Sequence, residues 1–497
     1  MKSASGLIVR LPILCQNVFK RRWTTVQHNR SMSFAKRSNT VLDSAVKVFS
    51  TQSSPEYSMP WQNKHPEYFT GSGFVTTTNS GLRILTNAHI VADSTYVEVR
   101  KYGAPDRFEA SVEAVAHECD VAVLNVRNRK FWKDVAPLQL ADDLPSLQDA
   151  IAVVGYPTGG DNLSVTTGVV SRIEMQNYAH SATCLLTLQI DAAVNSGNSG
   201  GPAIKDGKVC GMAFQNLVDA EGIGYVIPVP VLKRFLDSLN SGHGFQGFCA
   251  LSVKCQPMEN VQLRQYYGLK RRESGVLINE IAPLSEAARD LKPDDVLLDF
   301  DGVSIANDGT VDIPLAGRIS FQHLASMKEV GSTVKLVVIR SGAKTVLTTA
   351  MAPPIKLVPV QTEGRAANYF MIGGLVFVPL TQPFLHEYGE EWLHAAPRHL
   401  VNCALYELPR KLGQEIIVLA KVLPHRVTTG FQKLVEDRLM RFNGEEPVNI
   451  RHLRELVRKC SDPFMRFEFQ DKRQVVLETR LAKKSTPAIM RQYRIHA

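Results

Sequence analysis

Long apolar runs are missing from this 497-residue chain, as are C-x-x-C pairs, low-complexity tracts and the phosphate loop G-x-x-x-x-G-K-[ST]. The longest apolar candidate, residues 370–380, is interrupted by Gly373, Gly374 and Pro379. That excludes a bilayer-crossing helix and favours a buried strand. The eight cysteines (Cys15, Cys119, Cys184, Cys210, Cys249, Cys255, Cys403 and Cys460) are scattered and suggest no disulfide framework. They read mostly as small buried residues in a reducing compartment. Without G-x-x-x-x-G-K-[ST], no intrinsic ATPase motor is indicated. The segment His386-Glu387-Tyr388-Gly389-Glu390 begins like H-E-x-x-H but lacks the second histidine, and His394 and His399 have no converging scaffold. Neither a metal nor a cofactor is expected.

Acids are absent from the first 42 positions, where Lys2, Arg10, Lys20, Arg21, Arg22, Arg30, Lys36 and Arg37 precede Asp43. Setting these eight cations against a formal net charge of +9 leaves the rest nearly neutral, so no electrostatic case for nucleic acid survives. The Arg- and Ser-rich start, with an amphipathic stretch at 7–14, reads as a transit peptide over 1–42. Arginine outnumbers lysine there, which favours the mitochondrial matrix over the chloroplast. Cleavage after Trp23 or near Ser33 fits.

This length predicts two to four domains. Residues 43–62 mix Ser, Gln and Pro and read as a linker with a docking segment around Phe49, Tyr57 and Trp61. Over 63–240, short apolar runs such as 73–77, 121–126, 150–155 and 209–214 alternate with turn residues. This predicts an antiparallel all-β unit, closed by a helix over 231–239. Ser241-Gly242-His243-Gly244 reads as a flexible join. Behind it lies a repeat with an offset of 142: the segment 293–302, ending Phe300-Asp301-Gly302, recurs as 435–444, ending Phe442-Asn443-Gly444. Each copy precedes a helical stretch and two alternating strands. Two PDZ-like α+β modules are predicted, 245–355 and 365–482, followed by a C-terminal tail at 483–497.

Three segments carry chemistry. Asn195-Ser196-Gly197-Asn198-Ser199-Gly200-Gly201-Pro202 puts a serine between glycines, Leu85-Thr86-Asn87-Ala88-His89 offers a base, and Asp120 opens the apolar run 121–124. Acyl transfer by serine requires a hydroxyl, a base to take its proton and donors for the oxyanion. Ser199, His89 and Asp120 fill those roles, with the Gly197, Asn198 and Ser199 amide region as oxyanion hole. The order His, Asp, Ser is that of the chymotrypsin clan. Asn198 is neutral, whereas trypsin-like enzymes carry there an aspartate that pairs with a newly cut N-terminus. Activation is therefore expected from ordering of loops instead. Ala193, six residues before the serine, and Ile223, with Gly224 and Tyr225, predict an apolar primary pocket, a substrate strand along 222–227 and cleavage after Val, Leu or Ile. Activity should rise through roughly pH 6–7.5 as the imidazole is freed.

The segments at 85–89, 120–124, 191–202 and 222–228 together resemble the Deg/HtrA family of ATP-independent serine proteases, over about residues 66–482. Two C-terminal modules, residues 380–390 and the basic start are similar to the plant mitochondrial Deg branch. The resemblance implies a mainly β chain: a chymotrypsin-like double β-barrel protease domain followed by two PDZ-like modules. It also implies trimers or hexamers acting on unfolded or damaged proteins. Ser196 stands where the family usually has proline. Phe248-Cys249-Ala250-Leu251 occupies the position of a PDZ carboxylate-binding loop without its glycine-rich character. The rival expectation is a holdase or PDZ scaffold that binds unfolded chains without cutting them.

Overall fold

The computed structural model describes residues 41–216, 223–242, 244–362, 367–389 and 391–495, and the expected transit peptide lies almost entirely outside them. The first unit is a seven-stranded antiparallel sheet. Its strands are β1 (Ala45–Gln52), β2 (Glu67–Thr78), β3 (Gly81–Thr86), β4 (Ser94–Lys101), β5 (Arg107–Glu109), β6 (Ser111–Ala116) and β7 (Val121–Asn125), in spatial order β5-β4-β1-β2-β3-β7-β6. The expected linker at 43–62 is therefore half strand, because β1 pairs β2 on one edge and β4 on the other. Its polar Lys47 and Ser50 disguise the strand, yet both are buried; Lys47 donates to Gly160 O at 2.7 Å and to Asp161 at 2.9 Å. Phe49, expected in a docking segment, lies within β1 instead. The Arg107 guanidinium lies over its ring, 3.7 Å from the centroid.

The second unit comprises β8 (Ala150–Gly155), β9 (Ser164–Asn177), β10 (Cys184–Ile190), β11 (Pro202–Lys205), β12 (Lys208–Asn216) and β13 (Gly224–Pro228), closed in the order β10-β13-β12-β11-β8-β9. Side chains alternate across a strand, so a strand buried on both faces reads as a continuous apolar run. In β7, Val121 and Val123 join the core of the second barrel, whereas Ala122 and Leu124 pack inside the first sheet. Phe74 and Leu85 face the same way as Val121, while Val75 and Ile84 face inward. Truncating Leu85 or Val121 at this seam would cost about 2–5 kcal/mol, the usual range for a buried aliphatic side chain cut to alanine. The helix α1 (Val229–Asn240) closes the unit with Val231, Leu232 and Phe235 fully buried.

The repeat is structural. In the first module β16 (Val296–Phe300), and in the second β25 (Asp437–Phe442), follow residues of positive φ, Asp294 (+70°) and Glu436 (+64°). Each ends in a two-residue turn with both φ positive: Asp301 (+54°) with Gly302 (+87°), and Asn443 (+46°) with Gly444 (+88°). Asp-Gly and Asn-Gly are the pairs that tolerate this. The first module spreads β14 (Val253–Pro257), β15 (Val276–Ile281), β16, β20 (Thr333–Arg340) and β21 (Ala343–Ala350) in one sheet. In the second, residues 370–380 make a hairpin, Phe370–Ile372 with Leu375–Pro379, turning at Gly373-Gly374.

The stretch 483–497, expected as a tail, belongs to this module. Helix Thr479–Gln492 buries Ala482 and Ile489 completely, and Ile489 and Ile495 pack with Met371, Val376 and Leu423. Its abundant lysine and arginine conceal a short apolar stripe. Between β1 and β2, residues 53–65 reach out of the protease unit to the second module. Tyr57 is buried among Leu357, Val358, Val378 and Phe384, Trp61 meets the Tyr369 ring edge-on at 6.1 Å, and Lys64 pairs with Glu387 at 2.9 Å.

Candidate active site

His89 sits in a single helical turn, Ala88–Val91, directly after β3. Asp120 follows the 3₁₀ turn His117–Cys119 and precedes β7, with φ +55°, a left-handed conformation that aspartate tolerates better than most residues. The two are clasped twice. The His89 backbone N–H donates to Asp120 Oδ1 at 2.9 Å, and the imidazole Nδ1 lies 2.7 Å from Asp120 Oδ2. The Asn87 amide also donates to Asp120 O at 2.8 Å. An ionised carboxylate only accepts, so Nδ1 carries the proton of the neutral ring and Nε2 is the acceptor. Burial works to raise the Asp120 carboxyl pKa, but the charge and hydrogen bonds of His89 outweigh it and hold it below its ordinary value. Burial likewise works to lower the His89 imidazole, and Asp120 outweighs it, leaving His89 raised.

Ser199 lies across the seam, on the loop leading into β11. Its hydroxyl donates to Phe214 O at 3.4 Å, and among the described residues no hydrogen bond joins it to His89. The loop is shaped by glycine. Gly197 has φ +94°, and a Cβ there would lie 2.6 Å from Thr158 N; a Cβ on Gly200, φ +85°, would strike Ser72 O. Ser196 O accepts the Thr158 N–H at 2.7 Å, and peptide planarity then turns the Gly197 N–H the opposite way. Of the three expected oxyanion amides, that of Asn198 is committed to Asn195 O at 3.0 Å. Those of Gly197 and Ser199 have no partner among the described residues.

Three groups escaped the sequence reading. Ser72, in β2, ties the halves together: its hydroxyl donates to Gly197 O and accepts from Tyr156 N, each at 2.7 Å, and its N–H donates to Ser199 O at 2.8 Å. Its only sequence signal is a serine between Gly71 and Gly73 inside a strand. His180, in the loop between β9 and β10, approaches the His89 ring with 6.2 Å between centroids. His117 Nδ1 lies 2.9 Å from His180 Nε2. Burial foremost pushes the His180 imidazole down to about 4, so it is neutral at physiological pH. Neither histidine sits in a motif.

On the pocket side, Ala193 is exposed, with its carbonyl accepting from Thr166 Oγ1 at 3.0 Å, and Ile223 packs against the barrel core. Gly224 lies against Ala192 O and Val194, so a side chain there would collide with both. From Gly224 onward β13 is paired with β10 and β12, so Gly224 and Tyr225 present no free edge to a substrate strand. Residue 222 lies outside the described residues. In the first PDZ-like module, the Phe248 N–H donates to Glu118 Oε2 and the Ala250 N–H to Ala352 O, both at 3.0 Å. Among the described residues no group of three or more His, Cys, Asp or Glu is arranged to hold a metal, and no helix is long and apolar enough to cross a membrane.

Comparison with known proteins gives this geometry a lineage. Residues 71–212 match the family described as a trypsin-like peptidase domain, and residues 358–497 match a PDZ domain. Protease Do-like 4, mitochondrial, of Arabidopsis thaliana is 40% identical over 492 residues, covering 99% of this chain and 88% of the relative. The Arabidopsis protein described as putative protease Do-like 3, mitochondrial, is also 40% identical, covering 91% and 79%. Protease Do-like 2, chloroplastic, is 38% identical, covering 91% and 74%. Among solved structures, the HtrA-type protease AlgW with tripeptide shares the fold at a TM-score of 0.51 and 22% identity, over 65% of this chain and 98% of that one. With near full-length relatives, a trypsin-like peptidase domain and a PDZ domain, the chain belongs to the Deg/HtrA family of serine proteases.

Proposed function

We propose that the chain is an ATP-independent serine endopeptidase that cleaves unfolded or damaged proteins after small to medium apolar residues. The observation that carries this reading is the double clasp of His89 on Asp120, opposite a serine loop whose Gly197 and Ser199 amides are unpaired among the described residues. For this chemistry the Ser199 hydroxyl must leave its 3.4 Å contact with Phe214 O and come within hydrogen-bonding reach of His89 Nε2. His89 Nε2 then takes the hydroxyl proton as Oγ bonds to the substrate carbonyl carbon. The Gly197 and Ser199 N–H groups hold the developing oxyanion, and His89 returns the proton to the leaving amine. Water, deprotonated by the same imidazole, cleaves the resulting ester. A substrate strand adds to the edge of residues 214–216, beyond the point where β12 leaves β11 at Pro202↔Met212. Exposed Ala193, where a basic-specific pocket would place an acid, and the apolar Ile223 suit Val, Leu or Ile at the cleaved position.

The relatives named as mitochondrial support a mitochondrial location; from the basic, acid-free start and the resemblance we assign the chain to the matrix as a homo-oligomer, trimer or hexamer. The test is digestion of casein by the chain from residue 43 onward, beside Ser199→Ala, with both sized by light scattering. Turnover should fall by about 10⁴-fold or more in the variant. Equal, negligible digestion by both with undiminished binding of casein would establish the holdase or scaffold instead.

A further inference from the structure

Glu118 lies two residues before Asp120 and takes no part in the hydrolytic steps above. Its turn is weakly made from within. The 3₁₀ segment His117–Cys119 has no side-chain cap; between the paired Ala116 and Val121 it closes through one long backbone bond, Asp120 N to His117 O at 3.3 Å, and a Cys119 Sγ contact to Ala116 O at 3.7 Å. Yet it must deliver Asp120 in a left-handed conformation with both carboxyl oxygens on His89. Beyond the Asn87 and His89 donors on Asp120, further restraint on the turn comes from two other parts of the chain. Glu118 O accepts the Ser181 hydroxyl at 2.8 Å, and Glu118 Oε2 accepts the Phe248 N–H at 3.0 Å. Phe248 opens the loop with which a PDZ module would hold a terminal carboxylate, and here that loop holds a carboxylate from the protease unit.

The fit is close. Gly247, φ +95°, is tightly enclosed, since a Cβ there would lie 3.1 Å from Glu118 Oε2 and 3.2 Å from Pro353. Lys356, in the segment joining the modules, donates to Thr183 Oγ1 at 3.1 Å. Burial pushes the Glu118 carboxyl up, while the Phe248 N–H and the Lys356 charge favour the ionised form. The Ala250 amide is taken by Ala352, so two of the loop's donors serve the chain itself.

We propose that Glu118 is a positioning residue for the reaction: its carboxylate, gripped by the Phe248 amide of the first PDZ-like module, holds the 117–120 turn so that Asp120 meets His89. This rests on the catalytic reading of His89, Asp120 and Ser199. The first module then serves the protease unit as a clamp on its carboxylate loop.

The test uses the full chain and a fluorogenic peptide too short to reach the modules, with valine before the cleaved bond. Glu118→Ala should lower kcat about tenfold with KM within about twofold, and should weaken the low-field proton resonance of His89 Nδ1–H. Glu118→Gln keeps an acceptor for the Phe248 N–H and should stay within about threefold of wild type. Glu118→Asp keeps the charge but withdraws it by one methylene; it should behave like alanine, and it replaces that variant if alanine prevents folding. A kcat within about twofold of wild type in both the alanine and aspartate variants overturns the proposal. So does a loss confined to KM, or an equal loss in the glutamine variant with an unchanged resonance. If the wild type itself cleaves nothing, the catalytic reading fails separately. The resonance still decides the clamp, supporting it if weakened by Glu118→Ala and overturning it if unchanged.

Discussion

The two sides of the cleft are built differently. On the first sheet, His89 and Asp120 are joined by two hydrogen bonds, with Asn87 adding a third to the aspartate backbone. On the second barrel, the Ser199 loop carries left-handed glycines, amides without partners among the described residues and a hydroxyl turned toward Phe214. The candidate base is oriented without substrate, and the loop of the candidate nucleophile keeps amides unpaired among the described residues. Unpaired amides are costly when buried, so they are expected where a ligand oxygen completes them. Readiness in this fold is divided: orientation is stored in one half and free donors in the other.

The largest effect should come from breaking the stored half. Asp120→Asn preserves shape but presents an amide N–H to Nδ1, which forces the ring proton to Nε2 and removes the acceptor. The kcat should fall about 10⁴-fold with little change in melting temperature. Single-turnover assay and calorimetry together check it, and a loss below tenfold would mean that the clasp is not what orients the base.

A smaller effect is expected from the tie between the halves. Ser72→Ala strips a partner from Tyr156 N–H and from Gly197 O, each such loss costing about 1–3 kcal/mol. Melting should drop by several degrees, with activity reduced. Ser50→Ala is the control, because that buried hydroxyl has no hydrogen-bond partner among the described residues and should be near neutral when removed. If both variants melt alike, Ser72 is not the tie.

The smallest effect is a displacement of the pH profile. Only neutral His89 accepts the proton, and its folded pKa is raised, so the acidic limb of kcat/KM should have its midpoint above the ordinary imidazole value of about 6.5. The stability contributions have opposite signs. That of His89 is full below its unfolded pKa and disappears as pH rises through the raised value. That of Asp120 is full above its unfolded pKa and disappears as pH falls through the lowered one. A midpoint at or below 6.5 would show that Asp120 does not govern the ring.

The candidate catalytic side chains were legible because each sits in a local pattern: a serine among glycines, a histidine after an apolar strand, an aspartate before a run buried on both faces. The repeated modules were legible for the same reason, since Asp301-Gly302 and Asn443-Gly444 carry their turn geometry in their identities. β1 was not, because Lys47 and Ser50 break its apolar pattern and find their burial only through the chain around them. The helix at 479–492 was hidden by its charge, and Ser72, His117 and His180 by the lack of any motif. The tongue at 53–65 was half legible: Tyr57 and Trp61 announced docking, whereas Phe49 proved to be strand surface covered by Arg107.

By itself the sequence determined which chemistry the chain can carry and where the backbone must turn, because side-chain identity and the steric freedom of glycine act within a few residues. Only the tertiary structure decided that His89 is gripped twice, that the Asn198 amide is spent while its neighbours are not, and that Glu118 lies in the first module's loop. Those outcomes depend on contacts between segments far apart in the chain, and no local pattern encodes which distant donor a carboxylate will meet.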